Sequence, residues 1–135
     1  MSSEPIRVVI VDDADIVRAR QQGRETAEKL GLTATESTLV ATAISEIARN
    51  IMSHAGQGEI EIAMVNVDGT RGIEVVARDE GPGIPDIERA MQDGYSTGPG
   101  LGLGLPGASR LMDDFDVTTE VGVGTTVVMR KWRSK

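Results

Sequence analysis

Cysteine is absent from the 135 residues, so the chain forms no disulfide and offers no thiolate ligand to a metal. A reducing compartment fits that composition. Aromatic side chains are scarce as well, with one Trp, one Tyr and one Phe, so the core must come from Val, Ile, Leu, Ala and Met. No run approaches the roughly 20 apolar residues that span a bilayer. The opening Met1-Ser2-Ser3-Glu4-Pro5 has neither the basic flank nor the apolar stretch of a secretory signal. These absences point to the cytoplasm and away from membranes. Basic charge is also short: 14 Lys and Arg stand against 21 Asp and Glu, a net charge of −7. That balance disfavours nonspecific nucleic-acid binding. The basic tail Arg130-Lys131-Trp132-Arg133-Ser134-Lys135 is the exception and reads as a short solvated terminus. No Gly-x4-Gly-Lys-Ser/Thr occurs, which excludes a P-loop.

Glycine, by contrast, is plentiful and clustered. Eight of the 16 glycines lie between Gly81 and Gly107. Backbone there must take unusual dihedrals or come very close to something. Length and a hydrophobic content of 39% indicate one globular domain over residues 1–135, large enough to bury roughly two-thirds of its unfolded surface.

Ile6 to Val11 reads as a first strand. Asp12, Asp13 and Asp15 then supply the cap and first turn of a helix from about Asp15 to Leu30, stopped by Gly31. Ile16, Ala19, Gly23, Ala27 and Leu30 line its inner face, while Arg18, Arg20 and Arg24 share an exposed one. Thr33-Ala34-Thr35-Glu36 is a capping box opening a second helix, with Val40, Ile44, Ile47 and Ile51 as its core stripe, ending near Ala55-Gly56. Glu59 to Val67 and Gly72 to Arg78 form a hairpin across Asp68-Gly69. Between Gly81 and Gly104 only Pro85 to Met91 has helical character, and so long a connection in a compact domain suggests a functional lid or a disordered loop. Leu105 to Met112 reads as a short helix. Phe115 to Glu120 and Thr125 to Lys131 complete a final hairpin across Gly122 and Gly124.

Glu46 and Asn50 are neighbours at i, i+4. They are either a solvated helix flank or an oxygen pair for magnesium chemistry, with Asn50 offering its amide carbonyl and Glu46 acting as a base. His54, the one histidine, continues the same row. Its place suggests a structural or supporting role and leaves no obvious phosphoacceptor histidine. Asp79 ends a strand and begins Asp-x-Gly-x-Gly. A plain turn explains Gly81, Pro82 and Gly83, but a carboxylate fixed there also accepts an exocyclic amine, which adenine has and guanine lacks at that position. Gly102-Leu103-Gly104-Leu105-Pro106-Gly107 fits the dinucleotide fingerprint, yet polar Gln92–Gly98 precedes it where a buried strand is required. The Rossmann reading therefore fails. What remains is a loop feeding a helix N-terminus at about Gly104, where free amides and the dipole bind phosphate. Thr125 stands beside Asp79 if their strands are neighbours.

Glu46-x3-Asn50, Asp79-x-Gly81-x-Gly83, the ladder Gly100-Leu101-Gly102-Leu103-Gly104 and Gly124-Thr125, in that order, resemble the GHKL (Bergerat-fold) ATPases. The motifs cover about Thr33 to Val128. The segments Asp15–Gln21, Ser45–Asn50, Asp79–Ile87 and Gly104–Gly107 resemble the small anti-sigma-type serine kinases, particularly the RsbT-type switch kinases. The resemblance implies an α+β fold, a two-layer sandwich whose mixed, mostly antiparallel sheet carries helices on one face and a Gly-rich ATP lid. It implies an ATP- and Mg2+-dependent kinase that phosphorylates a serine or threonine on a STAS-domain protein in a stressosome partner-switching module. Once released, such a kinase activates a PP2C-type phosphatase.

By the same resemblance Glu46 is the general base, Asn50 the magnesium ligand and Asp79 the adenine reader. Gly81 and Gly83 lie by the base, Thr125 supports it, and Gly100, Gly102 and Gly104 contact phosphates. Arg20 is the candidate partner-surface residue. Sigma-binding relatives carry a lid arginine, whereas Ser96 to Leu105 has no basic residue here, leaving magnesium, amides or Arg110 to neutralise phosphate. Two rivals stand beside the kinase: an anti-sigma factor that sequesters a sigma factor, and a scaffold that binds no nucleotide. The kinase reading requires Glu46 and Asn50 to face Asp79 across one cavity.

Overall fold

A computed structural model describes residues 4–83 and 104–133. The elements, in order, are β1 (Ile6–Ile10), α1 (Asp13–Leu30), α2 (Ala34–His54), β2 (Gly58–Val67), β3 (Thr70–Asp79), α3 (Gly104–Leu111), β4 (Asp114–Glu120) and β5 (Gly124–Trp132). The expected Pro85–Met91 helix and the Gly-rich lid fall outside the described residues.

Both long helices begin where their side chains satisfy the first free amides. Asp12 caps α1: its Oδ1 accepts from the Asp15 amide over 3.1 Å, while Asp15 Oδ2 accepts in return from the amides of Asp12 and Val11. The helix thus starts two residues before the expected Asp15, which is the third residue of the helix and closes the capping box instead of opening it. Thr33 and Glu36 form the same reciprocal pair at the head of α2. Gly31, with φ +98°, closes α1.

The five strands are ordered β1-β2-β3-β5-β4. Every pairing among them is antiparallel, so the described residues show the antiparallel part of the expected mixed, mostly antiparallel sheet and no parallel pair. Adjacent hairpins account for this: β2 turns into β3 at Asp68-Gly69, both with positive φ, and β4 into β5 at Gly122. β1 returns through both helices and joins the outer edge of β2 in the opposite sense.

Alternation along the strands gives the sheet two unlike faces. One carries Val8, Ile10, Ile60, Ile62, Ile73, Val75, Ala77, Val127 and Met129 against Ile16, Ala27, Val40, Ile44, Ile47 and Ile51 of the helices, all buried. The other is open and stitched by ion pairs Arg7–Glu59, Arg78–Glu61 and Arg130–Glu74. The inner face of α1 holds the expected Ile16, Ala19, Gly23, Ala27 and Leu30, and Arg18, Arg20 and Arg24 are exposed. Gly23 lets α1 approach α2 closely, since a Cβ there would run into Ile44. Lys131 ties β5 to the end of α3, donating to the Leu111 carbonyl over 3.1 Å. Among the described residues, no helix is long and apolar enough to cross a membrane.

Candidate nucleotide-binding site

The site is built where the C-terminal end of α2 meets the C-terminal end of β3. Glu46, Asn50 and His54 succeed one another at i, i+4 along α2, so they stand on one side of that helix. Asn50 is buried, at 5% exposure. Glu46 is half-buried and paired with Arg49, Oε1 to Nη1 3.2 Å. His54 Nε2 lies 3.2 Å from the Gly83 carbonyl, a contact that bridges 29 residues of sequence and brings the helix row to the turn after β3.

Asp79 is the last residue of β3, on the sheet face that carries Ala77 and Val75. Its Oδ1 accepts from the Gly81 amide over 2.9 Å, which fixes the carboxylate and leaves Oδ2 for another donor. Gly83 has φ +79°, and a Cβ there would stand 2.6 Å from the Glu120 carbonyl oxygen, so no larger residue fits. Gly124, φ +153°, has no room either, because a Cβ would collide with the Asp79 carbonyl. Thr125 faces Asp79 directly across the β3–β5 pairing and is buried. Its hydroxyl meets that of Thr119, on β4, at 3.0 Å.

The turn of Asp79, Gly81 and Gly83 therefore meets the end of α2 at His54 and Ala55, with Thr125 paired across from Asp79. Asn50 lies one turn and Glu46 two turns before His54 on the same helix. Gly104 opens α3, which packs against α2. Its first amides are free of intrahelical partners by geometry. Gly100 and Gly102 lie outside the described residues. Arg20 is exposed on α1. Sequence reasoning missed Thr119 and the Gly83 partner of His54. Both contacts depend on strand register and chain crossing, which periodicity does not carry. A cavity of about 560 Å³ borders Asp79 from the other side. Arg7, Val9, Glu59, Arg78 and Thr126 line it, so it is a hollow of the open sheet face, and neither Asn50 nor Glu46 borders it.

The donors present suit a hard cation. Magnesium takes oxygen ligands, keeps several waters and is usually held by one or two protein groups plus substrate phosphates. A buried amide oxygen such as that of Asn50 is a donor of that kind.

The sequence profile described as "Histidine kinase-like ATPase domain" matches residues 10–131. The chain belongs to that family. Among its relatives, the serine/threonine-protein kinase RsbT of Bacillus subtilis is 49% identical over 125 residues, covering 93% of this chain and 94% of the relative. An anti-sigma F factor of Geobacillus stearothermophilus is 36% identical over 110 residues, covering 76% of this chain and 74% of that protein. Two solved structures share the histidine kinase-like ATPase fold. The RsbU and RsbW domains of a Mycobacterium tuberculosis protein superpose with TM-score 0.65 at 20% identity, over 98% of this chain and 34% of that one. The mycobacterial sensor histidine kinase MprB superposes with TM-score 0.57 at 18% identity, over 98% and 99%.

Proposed function

We propose that this protein is an ATP- and Mg2+-dependent serine/threonine kinase of a partner-switching signalling pathway. Its substrate would be a hydroxyl on a STAS-domain antagonist protein of the stressosome kind, and once released the kinase would bind and activate a PP2C-type phosphatase in the cytoplasm. One observation carries the reading: the chain is 49% identical to RsbT over nearly its whole length. The meeting of the α2 row with the Asp79 turn supports it.

In this reading Asp79 Oδ2 accepts the adenine amine while Gly81 holds Oδ1 in place. Thr125, buried opposite, supports that end of the base. Asn50 would hold magnesium through its amide oxygen, with Gly104 and the amides that open α3 toward the phosphates. When bound, the ion neutralises charge on the phosphate oxygens, which is most of what phosphoryl transfer asks of a protein. Glu46 takes the proton from the attacking hydroxyl, and its pairing with Arg49 turns the carboxylate along the helix. Arg20 lies on the exposed face of α1, where it contributes to partner docking.

Transfer of radiolabel from ATP to a co-encoded STAS protein tests the proposal. Wild type should label its partner, and Glu46→Gln should lower the rate by roughly 100-fold or more while still binding ATP. Equal rates would remove Glu46 from the mechanism. A second reading, sequestration of a sigma factor, draws on the anti-sigma F factors among the relatives. Capture of a purified sigma factor by the ATP-bound protein would favour it.

A further inference from the structure

The turn that follows Asp79 is gripped from three directions. Gly81 lies so close to the end of α2 that a Cβ there would stand 2.5 Å from the Ala55 Cβ. On the opposite side the Gly122 amide donates to the Pro82 carbonyl over 2.8 Å. The third grip is His54, whose Nε2 lies 3.2 Å from the Gly83 carbonyl. A carbonyl oxygen only accepts, so Nε2 carries the proton in this contact. The first two grips use backbone and a methyl group. The third is a side chain whose chemistry can be exchanged.

We propose that His54 is a positioning residue for the nucleotide: its bond to Gly83 seats the base-reading turn on the helix that carries Asn50 and Glu46. The proposal rests on the nucleotide-site reading above. Two glycines flank Pro82, and glycine backbone has the most freedom to lose on ordering. Left unanchored, that turn samples other conformations, and the Gly81 amide no longer holds Asp79 Oδ1 at 2.9 Å. The chain of contacts runs from His54 through Gly83 and Gly81 to the Asp79 carboxylate. Its helical end is fixed in register with the site row, because His54 closes the 21-residue helix α2 one turn beyond Asn50. The histidine therefore sets the separation between the base end and the phosphate end of the site without touching either. Displacements of an ångström in such a separation are costly to binding and rate.

Calorimetric titration of wild type, His54→Leu and His54→Gln with ADP and with Mg-ATP separates this role from others. His54→Leu should weaken both nucleotides about ten-fold, the size of one lost hydrogen bond. ADP should suffer as much as ATP, since the defect lies at the base. His54→Gln, which places an N–H donor near the same point, should come back to within about three-fold of wild type on the same scale. Hydrogen exchange in nucleotide-free protein gives a second readout: the amides of Gly81 and Gly122 should exchange faster in His54→Leu, and that of Ile47 should not change. If the leucine variant fails to fold, His54→Asn, polar but too short to reach Gly83, replaces it with the same expectation. Wild-type affinity for ADP in the leucine or asparagine variant, with unchanged exchange, overturns the role of His54 and leaves the site intact. A wild-type protein that binds neither nucleotide overturns the site reading itself.

Discussion

Asp79 and Thr125 face each other on neighbouring antiparallel strands, one the last residue of β3 and the other the second residue of β5. One Asp79 oxygen is held by the Gly81 amide at 2.9 Å. The Thr125 hydroxyl is held by Thr119 at 3.0 Å. Each polar group thus arrives at the site already oriented.

Substitution of Asp79 by Asn should separate the two oxygens' duties. The amide oxygen can still accept from Gly81, so thermal stability should stay near wild type. The other position becomes an N–H donor and opposes the adenine amine. ATP affinity should fall on the order of 100-fold, the value of a charge-assisted hydrogen bond turned into a clash of donors. Calorimetry paired with a melting curve checks both halves, and an Asn variant that binds ATP normally would take Asp79 out of base recognition.

Gly124→Ala should destabilise the protein by more than about 3 kcal/mol or prevent folding. Its φ of +153° and the Asp79 carbonyl in the path of a Cβ leave no accommodation without moving β3 from β5. Gly122, two residues earlier, has φ +84° with open space around it, so Gly122→Ala should cost only about 1 kcal/mol from backbone preference. Urea unfolding of the pair measures the contrast.

Ser37 is the opposite case. Its hydroxyl is buried at 1% exposure and, among the described residues, it is the fully buried polar side-chain atom left without a hydrogen-bond partner. Ser37→Ala removes that unmet donor and improves helix propensity in α2. Stability should rise by roughly 0.5–1.5 kcal/mol. A lower midpoint in denaturant would contradict this account.

Stability should also fall on acidification through Asp15. The Val11 amide donates to this carboxylate, as does that of Asp12, and Arg18 pairs with it; together they outweigh burial and hold it below the usual carboxylate range. A depressed folded-state pKa gives stability that is complete above the unfolded value, about 4. It is lost as pH falls through the lower folded value. Urea midpoints between pH 6 and 3 should therefore drop less steeply for Asp15→Asn than for wild type, and parallel curves would refute it.

Helices, caps and hairpins were legible because their causes are local. The Thr33–Glu36 box, the Val40–Ile51 stripe and the Asp68-Gly69 turn each state their geometry within a few residues. Part of the site was legible in residue types: Asp79 and Thr125 are register partners on neighbouring strands, as the motif order suggested. Strand sense was not, since whether β1 joins β2 parallel or antiparallel depends on how two helices carry the chain back. The His54–Gly83 contact was likewise invisible, because His54 reads as one more member of a helix row until the turn is folded against it.

Glu46, Asn50 and His54 share one uninterrupted helix, so their alignment works as a ruler. A single residue inserted between Glu46 and Asn50 would turn everything downstream by about 100° and slide it about 1.5 Å. Asparagine and histidine would then swing away from glutamate together. An extra residue at the Asp68-Gly69 bend would touch none of them. Length variation in this chain should accordingly gather at its bends and be rejected from the middle of α2.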